Sequence, residues 1–500
     1  MAGANAGDVP YSSDIKYNQH QAYPGVDILV TSPRVAFSWA PGNSEHFPWA
    51  SGGGKTVISG GYGLFYDNAA ASIVDKLLTN PPVSVPLRVR TSKGVLPYDP
   101  AGAPATFAAG AAAFNINESF NQISKNLAGL GIPFTPPAFE AIIGTVHAPM
   151  AQEWNFMVQQ QIGKATSLTV NYVGNSVTRL PYNNSWGNAY DPGGIYPGVP
   201  TSPAVPNYGT VTQTQSGAIS NYNALNVTLR EQIGSQLILH FNYTYGHNLD
   251  ETSNGGINAY SFTGDGSILD QINPHSLRAN NYGNSEYDIR HNISADYVYT
   301  PTFKFGNKFA QAFLGGWQWS GKLYWRTALP FTVIDGNLGG EIVNYAATSN
   351  GNPLEIAQPI GAGQQGSCGV SSNYTNGAAV FGKTACLNAN AFVNTASASF
   401  TGYSTFPTQT RNQYRGPGYF NMDMALYKNF ALKERLHLGI GMNAFNVFNH
   451  PNFAIPDQNL GDSTFGQITS TVGVPTSPYG NFLGFDSSVR VVQLTAKITF

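Results

Sequence analysis

The chain has 500 residues, a net charge of -2 and only 10% Asp, Glu, Lys and Arg, against roughly a quarter in typical soluble domains. That balance argues against the basic face of a nucleic-acid-binding protein. No run of about 20 apolar residues supplies a transmembrane helix, but membrane strands remain open, because each needs only about 10 alternating residues.

Residues 1–32 are polar and rich in turn formers. Met1-Ala2-Gly3-Ala4-Asn5 has neither a charged nor an apolar leader region, so no secretory signal is read here. In a strand-rich chain that start suggests a missing N-terminal part, and 1–32 reads as an outer loop or an N-terminal remnant.

From residue 33 to 500 the dominant signal is period two. Val35, Phe37 and Trp39 alternate with Arg34, Ala36 and Ser38. Ile58, Tyr62 and Leu64 follow, then Trp154, Phe156 and Val158, then Leu168, Val170 and Tyr172. Leu225, Val227 and Leu229 oppose Asn226, Thr228 and Arg230, and Leu239, Phe241 and Tyr243 oppose His240 and Asn242. Tyr287, Ile289, Ile293 and Tyr297 oppose Asp288, Arg290, Ser294 and Asp296. Trp317, Trp319, Leu323 and Trp325 oppose Lys322 and Arg326. Phe420, Met422 and Met424 oppose Asn421 and Asp423, and Leu436, Leu438 and Ile440 oppose His437 and Gly439. Val492, Leu494, Ala496, Ile498 and Phe500 alternate with Gln493, Thr495, Lys497 and Thr499. The pattern predicts about eleven strands. Glycines 60, 61, 63, 439 and 441 read as bulges or bends.

The links alternate in length. Short ones fall at 162–167, 233–236 and 429–435, intermediate ones at 41–54 and 300–316, and long ones at 67–150, 176–220, 249–285, 333–416 and 449–487. Short turns at one end and long loops at the other are the habit of an outer-membrane barrel. One face of each strand is then apolar, suiting lipid. Arg230, Arg290, Asp296, Lys322, Arg326 and Asp423 are the candidates for a polar lumen, since Arg or Lys at the lipid midplane costs about 2–4 kcal/mol. The expectation is an all-β, antiparallel up-and-down transmembrane β-barrel domain over 33–500, with long extracellular loops, in the cell outer membrane.

Enzyme chemistry finds no support. Gly52-Gly53-Gly54-Lys55-Thr56 resembles the end of a phosphate loop, but Trp49 stands where the motif needs glycine, and a strand follows instead of a helix. The nine histidines are scattered without a metal-binding spacing, and no G-x-S-x-G elbow occurs. No cofactor is expected. Trp186–Tyr208 could stack on a sugar or peptide; packing against the barrel mouth is the simpler reading. Cys368 and Cys386 share one Gly/Ser/Asn-rich stretch, which fits a loop disulfide in an oxidising compartment, with two free thiols as the alternative.

Several segments together resemble one family: "SPRVAFSWAP" (Ser32–Pro41), "GKTVISGGYGLFYD" (Gly54–Asp67), "QEWNFMVQQQIGKATSLTVNYVGN" (Gln152–Asn175), "YGNSEYDIRHNISADYVY" (Tyr282–Tyr299), "LGGWQWSGKLYWRTALPFTV" (Leu314–Val333) and the long run ending "FNVFNHPNF" (Phe445–Phe453). In order and spacing they look like the C-terminal half of an Oar-like TonB-dependent transporter barrel. The resemblance implies about eleven strands of an expected 22, with a signal peptide, a carboxypeptidase-regulatory-like domain and a plug absent from this chain. It implies energy-coupled uptake of an unidentified substrate held by the long outer loops. The implied partners are outer-membrane lipid, TonB–ExbB–ExbD acting through the missing plug, and the barrel-assembly machinery. That machinery would read a terminal strand carrying Leu494, Ile498 and Phe500. "FNVFNHPNF" reads as a structural turn. A passive porin or adhesin-like barrel, or a secreted soluble β protein with apolar faces packed together, are the alternatives.

Overall fold

The computed structural model describes residues 30–41, 55–67, 138–145, 147–206, 208–253, 270–338, 341–345, 356–366, 386–433, 436–468 and 490–499, with a few short pieces between them. Eleven successive strands form one antiparallel sheet: β1 (Arg34–Trp39), β2 (Thr56–Tyr66), β3 (Met150–Ile162), β4 (Thr166–Asn184), β5 (Val211–Ile233), β6 (Leu237–Asp250), β7 (His291–Tyr299), β8 (Trp317–Arg326), β9 (Tyr419–Lys433), β10 (Leu436–Phe445) and β11 (Val491–Thr499). Each strand pairs with the next in sequence, as an up-and-down barrel wall requires. Among the described residues β1 pairs only with β2 and β11 only with β10, so both edges of the wall are open.

Register explains the two faces. Phe156, Tyr172, Leu225, Tyr245 and His291 lie side by side across β3 to β7. Trp319, Leu426, Met442 and Leu494 do the same across β8 to β11. Phe37, Phe156, Trp319 and Leu494 are all exposed on this face. Leaving such a side chain in water forgoes about 1.5–3 kcal/mol of burial; lipid removes that cost. The soluble alternative needed this face packed on a second sheet. Among the described residues no second sheet packs on the apolar face, which corrects that reading.

The tight turns sit at one end. Gly163 and Gly234 adopt positive φ in the β3–β4 and β5–β6 turns, a backbone region open to glycine without steric cost. At the other end β4 and β5 run far past the roughly 10 residues that cross a membrane, with 19 and 23 residues. Their outer halves occupy much of the stretch read from sequence as a long loop. The short strand Phe139–Ile142 adds to β5 in parallel there.

The glycines expected to bulge do not. The β1–β2–β3 ladder runs unbroken through Gly60, Gly61 and Gly63, as does β10–β11 through Gly439 and Gly441. The irregularities fall at Val177–Pro181 and Ala431–Lys433. Close approach is what these positions need. A Cβ on Gly441 would lie 2.3 Å from the Tyr427 ring, and one on Gly174 2.2 Å from the Trp154 indole. In each case the ring occupies the space a Cβ would fill.

Two clusters of buried apolar residues lie in the outer connections. One cluster joins Ala189, Tyr196, Leu338, Ile342, Tyr345 and Tyr403. A second joins Phe331, Val333, Ala357, Phe392, Tyr414 and Phe465. The connections after β4, β8 and β10 are therefore one packed assembly. Trp186 lies within it, its ring 5.0 Å from that of Tyr345, so the aromatics of 186–208 serve loop packing.

Candidate functional site: the polar wall and the outer loop assembly

The polar face carries a charged row at one level. Arg230, His240, Asp296, Lys322 and Asp423 are successive cross-strand partners on β5 to β9. His240 Nδ1 lies 3.2 Å from Asp296 Oδ2. Lys322 Nζ sits 4.8 Å from the centre of the Tyr324 ring. The signs alternate from Asp296 to Asp423, so Lys322 lies between two carboxylates, the arrangement that favours directly opposed pairs. Toward the short-turn end the face opens into a cavity of about 510 Å³ lined by Lys55, Gln161, Lys164, Arg230, Glu231 and His240. Cations and amides predominate there, a lining that can hold anionic or carbonyl groups.

A denser polar network lies in the outer loops. Arg411 is only 2% exposed. Its guanidinium donates to the Asp250 carboxylate and carbonyl, to Ser253 and, at 3.2 Å, to the Asn281 carbonyl. Asn280 sits in the short helix α1 (Leu277–Asn281) and donates to the Pro407 and Gln409 carbonyls at 2.8 Å each. Asn284 and Asn412 exchange side-chain-to-backbone bonds at 2.8–2.9 Å. A buried charge is tolerated only when paired and hydrogen-bonded, and Arg411 meets both conditions.

Asp288 is the second centre. Its buried carboxylate accepts from the Asn248 backbone N–H at 2.8 Å, from Arg290 Nε at 2.9 Å and from Arg415. Burial alone would push its pKa up, yet the Asn248 N–H and the Arg415 and Arg290 guanidiniums hold it below the usual carboxylate value. Burial pushes the Tyr414 phenol up to about 12, so that group stays neutral.

The six candidate lumen residues thus separate into three places. Arg230, Asp296, Lys322 and Asp423 share the charged row. Arg326 is on the same face of β8, but it is buried at the outer end, with its guanidinium carbon 5.4 Å from the centre of the Tyr419 ring. Arg290 and Asp288 precede β7, in the loop network. The alternation at 287–290 looked like strand, but a turn closed by Asp288 N–H to Ser285 carbonyl at 2.9 Å takes its place. Leu494 and Ile498 are on the apolar face of β11 and exposed; Phe500 lies outside the described residues. Cys386 is buried and disulfide-bonded, and Cys368 lies outside the described residues. Sequence reasoning missed Arg411, Asn280, Asn281 and Asn412. The usable signal was local density: "RANNYGN" and "RNQYR" concentrate Arg and Asn in a chain with little charge.

A single wall with an apolar face, a polar face and a packed set of connections opposite its tight turns is now in view, and a family model for the outer membrane beta barrel domain matches residues 7–493. The chain belongs to that family. The barrel domain therefore resides in the outer membrane. It is similar in fold to the outer membrane transporter YddB from Escherichia coli, at 10% identity and a TM-score of 0.42, over 94% of this chain and 40% of that one. It is similar to the siderophore receptor PiuA from Acinetobacter baumannii, at 8% identity and 0.36, over 93% and 35%. It is also similar to the ferric enterobactin receptor PfeA from Pseudomonas aeruginosa, at 11% identity and 0.37, over 94% and 40%. The chain spans about 40% or less of the length of these three proteins. No curated protein matches the sequence.

Proposed function

We propose that the barrel domain forms the lumen wall and outer loops of a TonB-dependent receptor, a binding and conducting surface without catalytic chemistry. One observation carries the reading: among the described residues, the connections after β4, β8 and β10 leave the wall at the end opposite its tight turns and pack into one assembly. A substrate would be held by that assembly and passed along Arg230, Asp296, Lys322 and Asp423 as lumen residues. Energy would come from TonB–ExbB–ExbD acting on a plug seated against the same face. Residues 33–500 act as one barrel domain, Cys368 and Cys386 close a loop, and Leu494, Ile498 and Phe500 present the strand read by the assembly machinery.

The test compares cells with and without the protein for solutes depleted from the medium, with and without a protonophore. A solute whose depletion needs both the protein and the proton gradient supports the proposal. A solute that equilibrates through the protein regardless of the gradient assigns it to passive porins, and no protein-dependent depletion assigns it to adhesion.

A further inference from the structure

The turn between β7 and β8 does not behave like the other short-end connections. It contains the helix α2 (Lys308–Leu314), capped by the Asn307 side chain, which accepts from the Phe309 N–H at 2.8 Å. Phe309 is 77% exposed and Phe313 65% exposed. They stand four apart, so they share one helix face, and Leu314 and Phe303 beside them are exposed too.

The side of the wall on which α2 lies is fixed by its contacts. Phe313 packs edge-on against Phe430, ring centres 6.4 Å apart. Phe430 pairs with Leu438, which pairs with Ile498, all on the apolar face. Lys428 is on that face as well, between Trp317 and Ile440. A lysine there would face lipid, but it is only 3% exposed. Its ammonium donates to the Gly315 carbonyl at the end of α2 and lies 4.9 Å from the centre of the Phe430 ring. The indole N–H of Trp317 donates to the Phe313 carbonyl at 2.9 Å. The turn is therefore folded outward onto the lipid side and fastened there, and its exposed aromatics extend the lipid-facing belt beyond the strand ends.

We infer that α2 and its flanking aromatics are an interfacial anchor that inserts into the phospholipid surface at the short-turn end of the barrel. The occupant is lipid because the exposed face is continuous with the apolar face of β9 to β11 and turned away from the polar one. An apolar helix face in such a position buries itself at the boundary between headgroups and acyl chains. Lys428 is a positioning residue: its charge is satisfied by the Gly315 carbonyl and two rings, so it can hold the turn down without meeting hydrocarbon.

The full chain is reconstituted into vesicles of phosphatidylethanolamine and phosphatidylglycerol with a fluorophore on Phe309→Cys. A second sample carries it on Ala398→Cys in the outer loops, an exposed position. Lipid brominated near the headgroup end of its acyl chains should quench the Phe309→Cys label at least about twofold more than the Ala398→Cys label, and aqueous iodide should do the reverse. Equal iodide quenching at both positions, with no effect of brominated lipid at Phe309→Cys, would overturn the inference. A label at Phe156→Cys on the exposed apolar face monitors insertion in either case: lipid quenching there with none at Phe309→Cys separates a water-exposed helix from a chain that never entered the bilayer. The result does not depend on what the barrel transports.

Discussion

The guanidinium of Arg415 donates to the carboxylate of Asp288 across 127 positions of sequence. Asp288 stands just ahead of β7 and Arg415 just ahead of β9, so the pair joins the outer ends of two strands that are not neighbours in the wall. Arg290 takes the same carboxylate oxygen and Asn248 N–H takes the other. Asparagine keeps one carbonyl acceptor but removes the negative charge that both guanidiniums share. Both guanidiniums are partly exposed, so water relieves some of their mutual repulsion. Asp288→Asn should cost about 2–3 kcal/mol, below the range for a fully buried pair that loses one member. Hydrogen exchange at residues 283–290, measured in membranes, should speed up while exchange in β5 stays unchanged.

The pH dependence of this junction follows from the sign of the shift. The pKa of Asp288 is lower in the folded protein than the ordinary 3.8. A depressed carboxylate contributes stability that is whole above the unfolded value and is lost as the pH falls through the folded one. The outer assembly should therefore resist added protease from neutral pH down to about 4 and yield only below it. In Asp288→Asn the Asp288 contribution to that acid transition should vanish.

The strand count was legible because lipid imposes it. A strand with hydrocarbon on one side and polar surroundings on the other must alternate, and each of β1 to β11 shows that alternation. Beyond the membrane the constraint lapses. The outer halves of β4 and β5 include Asn183, Asn184 and Thr212 to Thr214, which read as loop. Asp288 and Arg290 show the converse: apolar and polar residues alternated in sequence, but the backbone turns and both charges enter the loop network. The helix α2 was hidden in a link of turn formers, although Asn307, Phe309, Phe313 and Gly315 together spell a cap, a face and a stop. Arg411 could not be placed from sequence, because its partners Asp250 and Asn281 are set by loop packing, which has no period.

The close approach of the Trp154 ring to Gly174 gives a test of the wall itself. A Cβ there would lie 2.2 Å from the indole, so Gly174→Ala must displace the ring or the strand. Overpacking of this kind typically costs about 1–3 kcal/mol. The unfolding temperature of the barrel in detergent, read from heat-dependent gel migration, should fall. Gly306→Ala, with nothing within 4 Å of its Cβ, should change it much less.

The charged row separates stability from function. Lys322 lies between Asp296 and Asp423 on the polar face, where partly exposed pairs contribute about 0–1 kcal/mol. Lys322→Gln should leave the unfolding temperature nearly unchanged. If the row guides a solute, protein-dependent depletion of that solute should drop severalfold. Unchanged depletion would remove Lys322 from the path.

Lys428 gives the most specific test of the short-turn end. Its ammonium is bonded to the Gly315 carbonyl and enclosed by Trp317 and Phe430. Lys428→Met keeps length and bulk while deleting the charge and the bond. On a lipid-facing strand, loss of a charge should by itself favour the membrane-inserted wall, so any loosening must come from the lost fastening. A net hydrogen bond from a charged donor contributes about 1.5–3 kcal/mol, enough to loosen a seven-residue helix that is otherwise fastened by Phe313 on Phe430 and by the Trp317 indole. The variant should therefore insert and migrate like the parent barrel, while the fluorophore on Phe309→Cys becomes mobile by anisotropy. Lys428→Arg, which keeps a donor in place, should retain the immobile signal. If Lys428→Met leaves the anisotropy unchanged, the packing of Phe313 on Phe430 holds the helix and the ammonium does not.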